Sequence, residues 1–178
     1  FIFSHDLDFS HISTQNGLSQ NTVRTIVEDK TGSIWAGTLD GLNRYEGYNI
    51  RSYQPQLGTR NSLDDHRMRD LYVDKDGYLW VKTYRNEFSC YNPVSDSFIH
   101  IKENESEPFI FESYYESSLG QIWFWGSHDG VTLVRKDNMP DFKLEQIIPK
   151  SLTPKTCHML FEDSEASIWI GGEFGLYK

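Results

Sequence analysis

The 178-residue chain contains only two cysteines, Cys90 and Cys157, too few for a disulfide framework and silent about redox compartment. It has no apolar run near the roughly 20 residues that a membrane-spanning helix needs, and no charged-then-apolar leader. It is therefore expected to be cytosolic, or a mature or trimmed extracytoplasmic segment. Cations are scarce: 17 Lys+Arg stand against 26 Asp+Glu, a formal net charge of -9. With no basic cluster along the chain, nucleic acid and anionic membrane surfaces are disfavoured as partners. Aliphatic residues are also modest in number. What is abundant is aromatic, 15% of the chain with 11 Phe, 10 Tyr and 5 Trp, and large rings can build a core without many leucines. The length suits one domain or part of a larger one.

Four of the five tryptophans, Trp35, Trp80, Trp123 and Trp169, recur at spacings of 45, 43 and 46. Aligned on Trp, the position nine before holds Ile26, Leu71, Tyr114 and Leu160, and eight before holds Val27, Tyr72, Tyr115 and Phe161. Six before stand Asp29, Asp74, Ser117 and Asp163; three before, Gly32, Gly77, Gly120 and Ala166. Such a period marks repeated units stacked on one another. Each run is short, β-branched and aromatic, and broken by Asp-x-x-Gly. Asp opens the turn through its own backbone and Gly takes the left-handed position. Hairpins are predicted around residues 29–33, 74–78, 117–121 and 163–167, with a different or strained turn where Ala166 replaces glycine. Third strands are predicted from Leu42, Phe88, Val131 and Leu176, and fourth strands over residues 49–53, 97–101 and 142–147.

Four antiparallel strands in about 45 residues is the pattern of a β-propeller blade. The expected fold is all-β, one partial propeller over residues 1–178. Its blades are expected at about 14–60, 61–105, 106–150 and an incomplete 151–178, with 1–13 as an entry strand. Consecutive apolar positions in the inner strand fit sheets covered on both faces. Four equivalent tryptophans imply a shared packing role between blades, ahead of ligand stacking.

The motifs Gly17-Leu18-Ser19-Gln20-Asn21-Thr22-Val23, Ile26, Asp29, Gly32, Ile34-Trp35, Gly37-Thr38, Gly41-Leu42 and Arg44-Tyr45 resemble the two-component regulator propeller repeat. The second and third copies have drifted, with Lys82-Thr83 for Gly-Thr, Glu87-Phe88 for Gly-Leu, and Trp125 at a glycine position; Gly171-Gly172 returns to pattern. The resemblance implies the periplasmic sensor region of a Bacteroides-type hybrid histidine kinase. Such ectodomains hold propellers of about seven blades, ahead of a membrane helix and cytoplasmic kinase modules, and the parent proteins are linked to sensing polysaccharide breakdown products. This chain would then be about half of a first propeller, non-catalytic itself, periplasmic, and tied to the membrane only through its parent. Half a propeller leaves blade faces uncovered, so self-association, as a homodimer or otherwise, is expected.

In propellers, the loops entering the inner strand and those between second and third strands share one face. Here the departures from the repeat on that face are Tyr84, Arg85, Trp125, His128 and Asp129, a mixture of aromatics and polar groups that suits an oligosaccharide or other small ligand. Ordinary solvated loop and drifted packing is the competing reading. Asp64-Asp65-His66 is not expected to bind metal, because adjacent residues on extended chain point apart. Asp74-Lys75-Asp76-Gly77 resembles a calcium-loop opening, but Arg85 occupies the twelfth position where that loop needs Glu. No serine or cysteine elbow accompanies His128 or His158, so no triad is expected. No cofactor is anticipated. The rival from another class is a propeller enzyme such as a quinoprotein-like dehydrogenase, whose repeat Asp29–Trp35 matches in part; a plain protein-interaction propeller is a third reading.

Overall fold

The computed structural model describes residues 9–56, 59, 61–85, 88–101, 111–126, 130–138, 141–148 and 156–178. Among these residues fifteen strands form four antiparallel sheets. The first holds β1 (Val23–Glu28), β2 (Ile34–Thr38), β3 (Gly41–Tyr45) and β4 (Ile50–Tyr53). The second holds β5 (Met68–Val73), β6 (Leu79–Thr83), β7 (Phe88–Asn92) and β8 (Ser97–His100). The third holds β9 (Ser113–Glu116), β10 (Ile122–Trp125), β11 (Val131–Asn138) and β12 (Asp141–Ile148). The fourth has three strands, β13 (Cys157–Glu162), β14 (Ile168–Gly172) and β15 (Gly175–Tyr177). Within every sheet the strands pair in chain order, as propeller blades do.

The register repeats too. Val27, Tyr72, Tyr115 and Phe161 stand opposite Trp35, Trp80, Trp123 and Trp169. Three apolar clusters lie between successive blades. Trp35 and Leu42 of the first meet Leu71, Leu79, Val81 and Tyr91 of the second. Trp80, Phe88 and Cys90 meet Phe124, Ile122 and Val134 of the third. Trp123, Trp125 and Val131 meet Cys157 and Ile170 of the fourth. Trp35, Trp80 and Trp123 are inter-blade packing, whereas Trp169 of the last blade is half-buried and belongs to none of these clusters. The two free cysteines lie in different clusters.

The aspartate six residues before Trp does more than open a turn. Asp29 accepts from the backbone N–H of Thr31 (2.8 Å) and Ser33 (3.1 Å), while its other oxygen accepts the Trp35 indole N–H at 2.8 Å. Asp74 and Asp163 do the same for Trp80 at 2.9 Å and Trp169 at 2.7 Å. These bonds hold the Asp29 and Asp163 carboxyls below the usual range; burial opposes them at Asp29 and is the largest single influence there. In the third blade the Ser117 side chain is too short: its Oγ accepts from the Gln121 N–H at 3.1 Å, and the enclosed Trp123 Nε1 has no partner among the described residues.

Of the two alternatives expected at Ala166, a different or a strained turn, the structure shows the second. It adopts φ +60°, and its turn keeps the hydrogen bonds of its glycine counterparts, Ala166 N–H to the Asp163 carbonyl at 3.0 Å and Asp163 N–H to the Ser167 carbonyl at 3.0 Å. The turn is strained but not different. Residues 1–8 of the expected entry strand lie outside the described residues; residues 9–13 form no strand, and Ser13 caps a short 3-10 turn over Thr14–Asn16. From there Ser19 bonds Asn43 at 2.9 Å and Thr38 at 3.0 Å, tying the entry segment onto β2 and β3.

Candidate functional site

In the first, second and fourth blades the turn following the second strand is bonded to a segment entering an inner strand, which builds one face of the arc. Gly41 N–H donates to the His66 carbonyl at 2.5 Å, Tyr84 N–H to Arg67 at 3.0 Å, and Glu173 N–H to Thr156 at 3.1 Å. Near this face three of the inner strands, β1, β5 and β13, carry bulges. Val23 pairs with Thr38 and Thr25 with Gly37, which leaves Arg24 outside the ladder; Arg69 and His158 occupy the same place in β5 and β13. A bulge re-aims the side chain of its extra residue, and bulges recur beside functional sites.

Arg24 is aimed at the second blade. Its guanidinium carbon lies 6.0 Å from the centre of the Tyr84 ring, and that of Arg67 lies 5.8 Å from the same centre. Both distances suit cation–π contact. Asp65, 7% exposed, is shared by two further contacts: Arg67 at 3.5 Å and Arg85 at 3.7 Å. Asp65 also accepts from the Arg67 backbone N–H at 3.3 Å. Three guanidinium groups thus gather around one phenol ring and one carboxylate. Beside them, exposed His66 and Asp40 pair at 3.4 Å. Lys82, on the adjoining strand β6, is enclosed against Phe88 and donates to the Glu112 carbonyl at 2.5 Å. Burial, helped by Arg69, lowers its pKa to about 8.

The structure therefore brings Tyr84 and Arg85 to one surface. Trp125 is not part of it: 8% exposed, it packs among Val131, Cys157 and Ile170. His128 and Asp129 lie outside the described residues. Arg24, Arg67 and Asp65 were not singled out as binding residues; the only signal available was that each sits on an inner-strand entry or at the bulge position of the repeat.

Other suggestive residues resolve differently. The neighbours Asp64, Asp65 and His66 go to three different partners, His100, the arginines and Asp40. Asp74 is spent on Trp80, two backbone N–H groups and Lys136 (3.1 Å). Ser89, His100 and Asp64 meet, but Ser89 Oγ (3.1 Å) and Asp64 both approach Nδ1 of the ring. A relay from nucleophile to carboxylate needs both ring nitrogens. This trio is a structural contact.

The two component regulator propeller model matches residues 17–40 and 62–85, which cover parts of the first and second blades. Over 46 residues, 26% of the chain, the sequence is 41% identical to Histidine kinase P4 of Formosa agariphila, of which that stretch is 3%. The extracellular domain of a putative hybrid two component system from B. thetaiotaomicron superposes with a TM-score of 0.71 at 20% identity, over 94% of this chain and 26% of that one. A second such extracellular domain from the same organism gives 0.63 at 23% identity, over 89% and 23%. The chain thus spans about a quarter of those solved ectodomains and a small fraction of the kinase.

Proposed function

We infer that this chain, which carries two component regulator propeller repeats, serves as a non-catalytic, ligand-sensing part of the periplasmic region of a hybrid sensor histidine kinase. Its ligand is an oligosaccharide, and its signal crosses the membrane through the parent protein. The observation that carries this is the matched repeat, supported by the extracellular origin of the two sensor domains that share its shape. A propeller shape by itself does not separate a sensor from an enzyme; the described residues support the sensor reading. The described histidines are held in structural pairs or lack a nucleophile bonded to them, whereas the loop face carries exposed groups suited to binding. Ligand binding would act by favouring one of two arrangements of the ectodomain, which requires different affinity for each.

The test is to place the segment in its whole sensor, reconstituted in membrane, and to measure autophosphorylation with and without a panel of oligosaccharides. Stimulation or inhibition by one class is expected. Dye-linked alcohol oxidation by the chain, or a kinase indifferent to every saccharide, would overturn the reading.

A further inference from the structure

We propose that the Tyr84 surface is an anion site, and that the sugar it receives carries a carboxylate or sulfate ester. The inference rests on the sensory reading above and narrows its ligand class. In a chain of net charge -9, three exposed guanidinium groups meet at one spot, with the Asp65 carboxylate between two of them. Arg24 has no ion-pair partner among the described residues, and Asp65 is shared between Arg67 and Arg85. Such an arrangement holds like charges together at a cost, which a bound anion removes.

Tyr84 has a different role from the one its exposure suggests. With Arg24 and Arg67 both within cation–π distance of its ring, the ring is engaged by two cations. It is a positioning residue that holds the two planar forks, whose N–H groups match carboxylate and sulfate oxygens in pairs. The groups come from two blades, since Arg24 belongs to β1 and Tyr84, Arg67 and Arg85 surround the second sheet. An anion bound there would bridge the blades.

The experiment is isothermal titration of the 178-residue chain with tetragalacturonate, a κ-carrageenan tetrasaccharide, cellotetraose, xylotetraose and sodium sulfate. An acidic tetrasaccharide is expected to bind, to weaken as salt is raised, and to lose roughly tenfold or more in affinity in Arg24→Gln or Arg67→Gln. Tyr84→Leu should weaken it less, with the neutral sugars unaffected. Both arginines are exposed, so unchanged melting curves will show that the variants fold. Neutral sugars binding as well as acidic ones, with the arginine variants indifferent, would overturn the anion site and leave the sensory reading intact. Sulfate binding as tightly as either acidic sugar would overturn the saccharide assignment in favour of a free anion. No binding by any acidic probe would overturn the proposal, whereas the kinase assay above decides the sensory reading separately.

Discussion

Replacing Ser117 by Asp should stabilise this protein, although it puts a charge into an enclosed turn. Three of the four blades bond the indole N–H to a carboxylate, and the third leaves Trp123 Nε1 unpartnered. An enclosed unpaired N–H costs about 1–3 kcal/mol. The Gln121 N–H already points at the Ser117 side chain, and the Lys75 ammonium reaches the Ser117 carbonyl at 2.7 Å. Both would hold the new carboxylate ionised. With desolvation subtracted, a gain of about 1–2 kcal/mol is expected, or about 2–8 °C in Tm for a chain of this size. Calorimetry with Trp123→Phe as the second arm of a double-mutant cycle isolates the bond. Trp123→Phe should cost about 1 kcal/mol more when Asp occupies position 117 than when Ser does. A lower Tm for Ser117→Asp, or strictly additive effects, would refute the reasoning.

Asp74→Ala should be among the costliest single changes. It strips three N–H donors and leaves enclosed Lys136 without that carboxylate, for a loss of about 3–5 kcal/mol readable in urea unfolding. Ala166→Gly should raise stability by about 0.5–1 kcal/mol by relieving the left-handed backbone at φ +60°, and Gly77→Ala should lower it, since φ +93° strains any side chain with a Cβ. Because folding lowers the Lys82 pKa from 10.5 to about 8, its contribution is lost as pH falls through 8 and grows as pH rises toward the unfolded value. Burial raises the Cys157 thiol from 9.0 to about 11, a contribution lost only above pH 9. Between pH 8 and 9 the wild type should therefore gain stability relative to Lys82→Met; parallel urea midpoints would contradict this. Finally, Met159, Phe161 and Leu176 lie exposed on the last blade and Ile26 on the first, so sedimentation at micromolar concentration should show association that Phe161→Glu reduces. A monomer throughout would count against it.

The spacing of four tryptophans was enough to place the blades, because a period that long leaves each unit's apolar face to be covered by its neighbour. The register was also legible: residues eight before each Trp do lie opposite it. Ile26 and Phe161 show the limit of that reading. They occupy the same repeat positions as enclosed Leu71 and half-enclosed Tyr72, yet both are exposed, because whether a neighbour covers a position depends on the stacking and not on the residue.

The sequence by itself determined the strand order, the turns and the inter-blade role of three of the four indoles, since these follow from short-range chemistry repeated at a fixed interval; Trp169 has the same local chemistry but belongs to none of the inter-blade clusters. Only the tertiary structure decided that Trp125 is packing and that Arg24, Arg67 and Arg85 form a cationic surface. Those arginines are far apart along an acidic chain, and what unites them is a bulge in one blade reaching the turn of the next, a proximity that no linear pattern encodes.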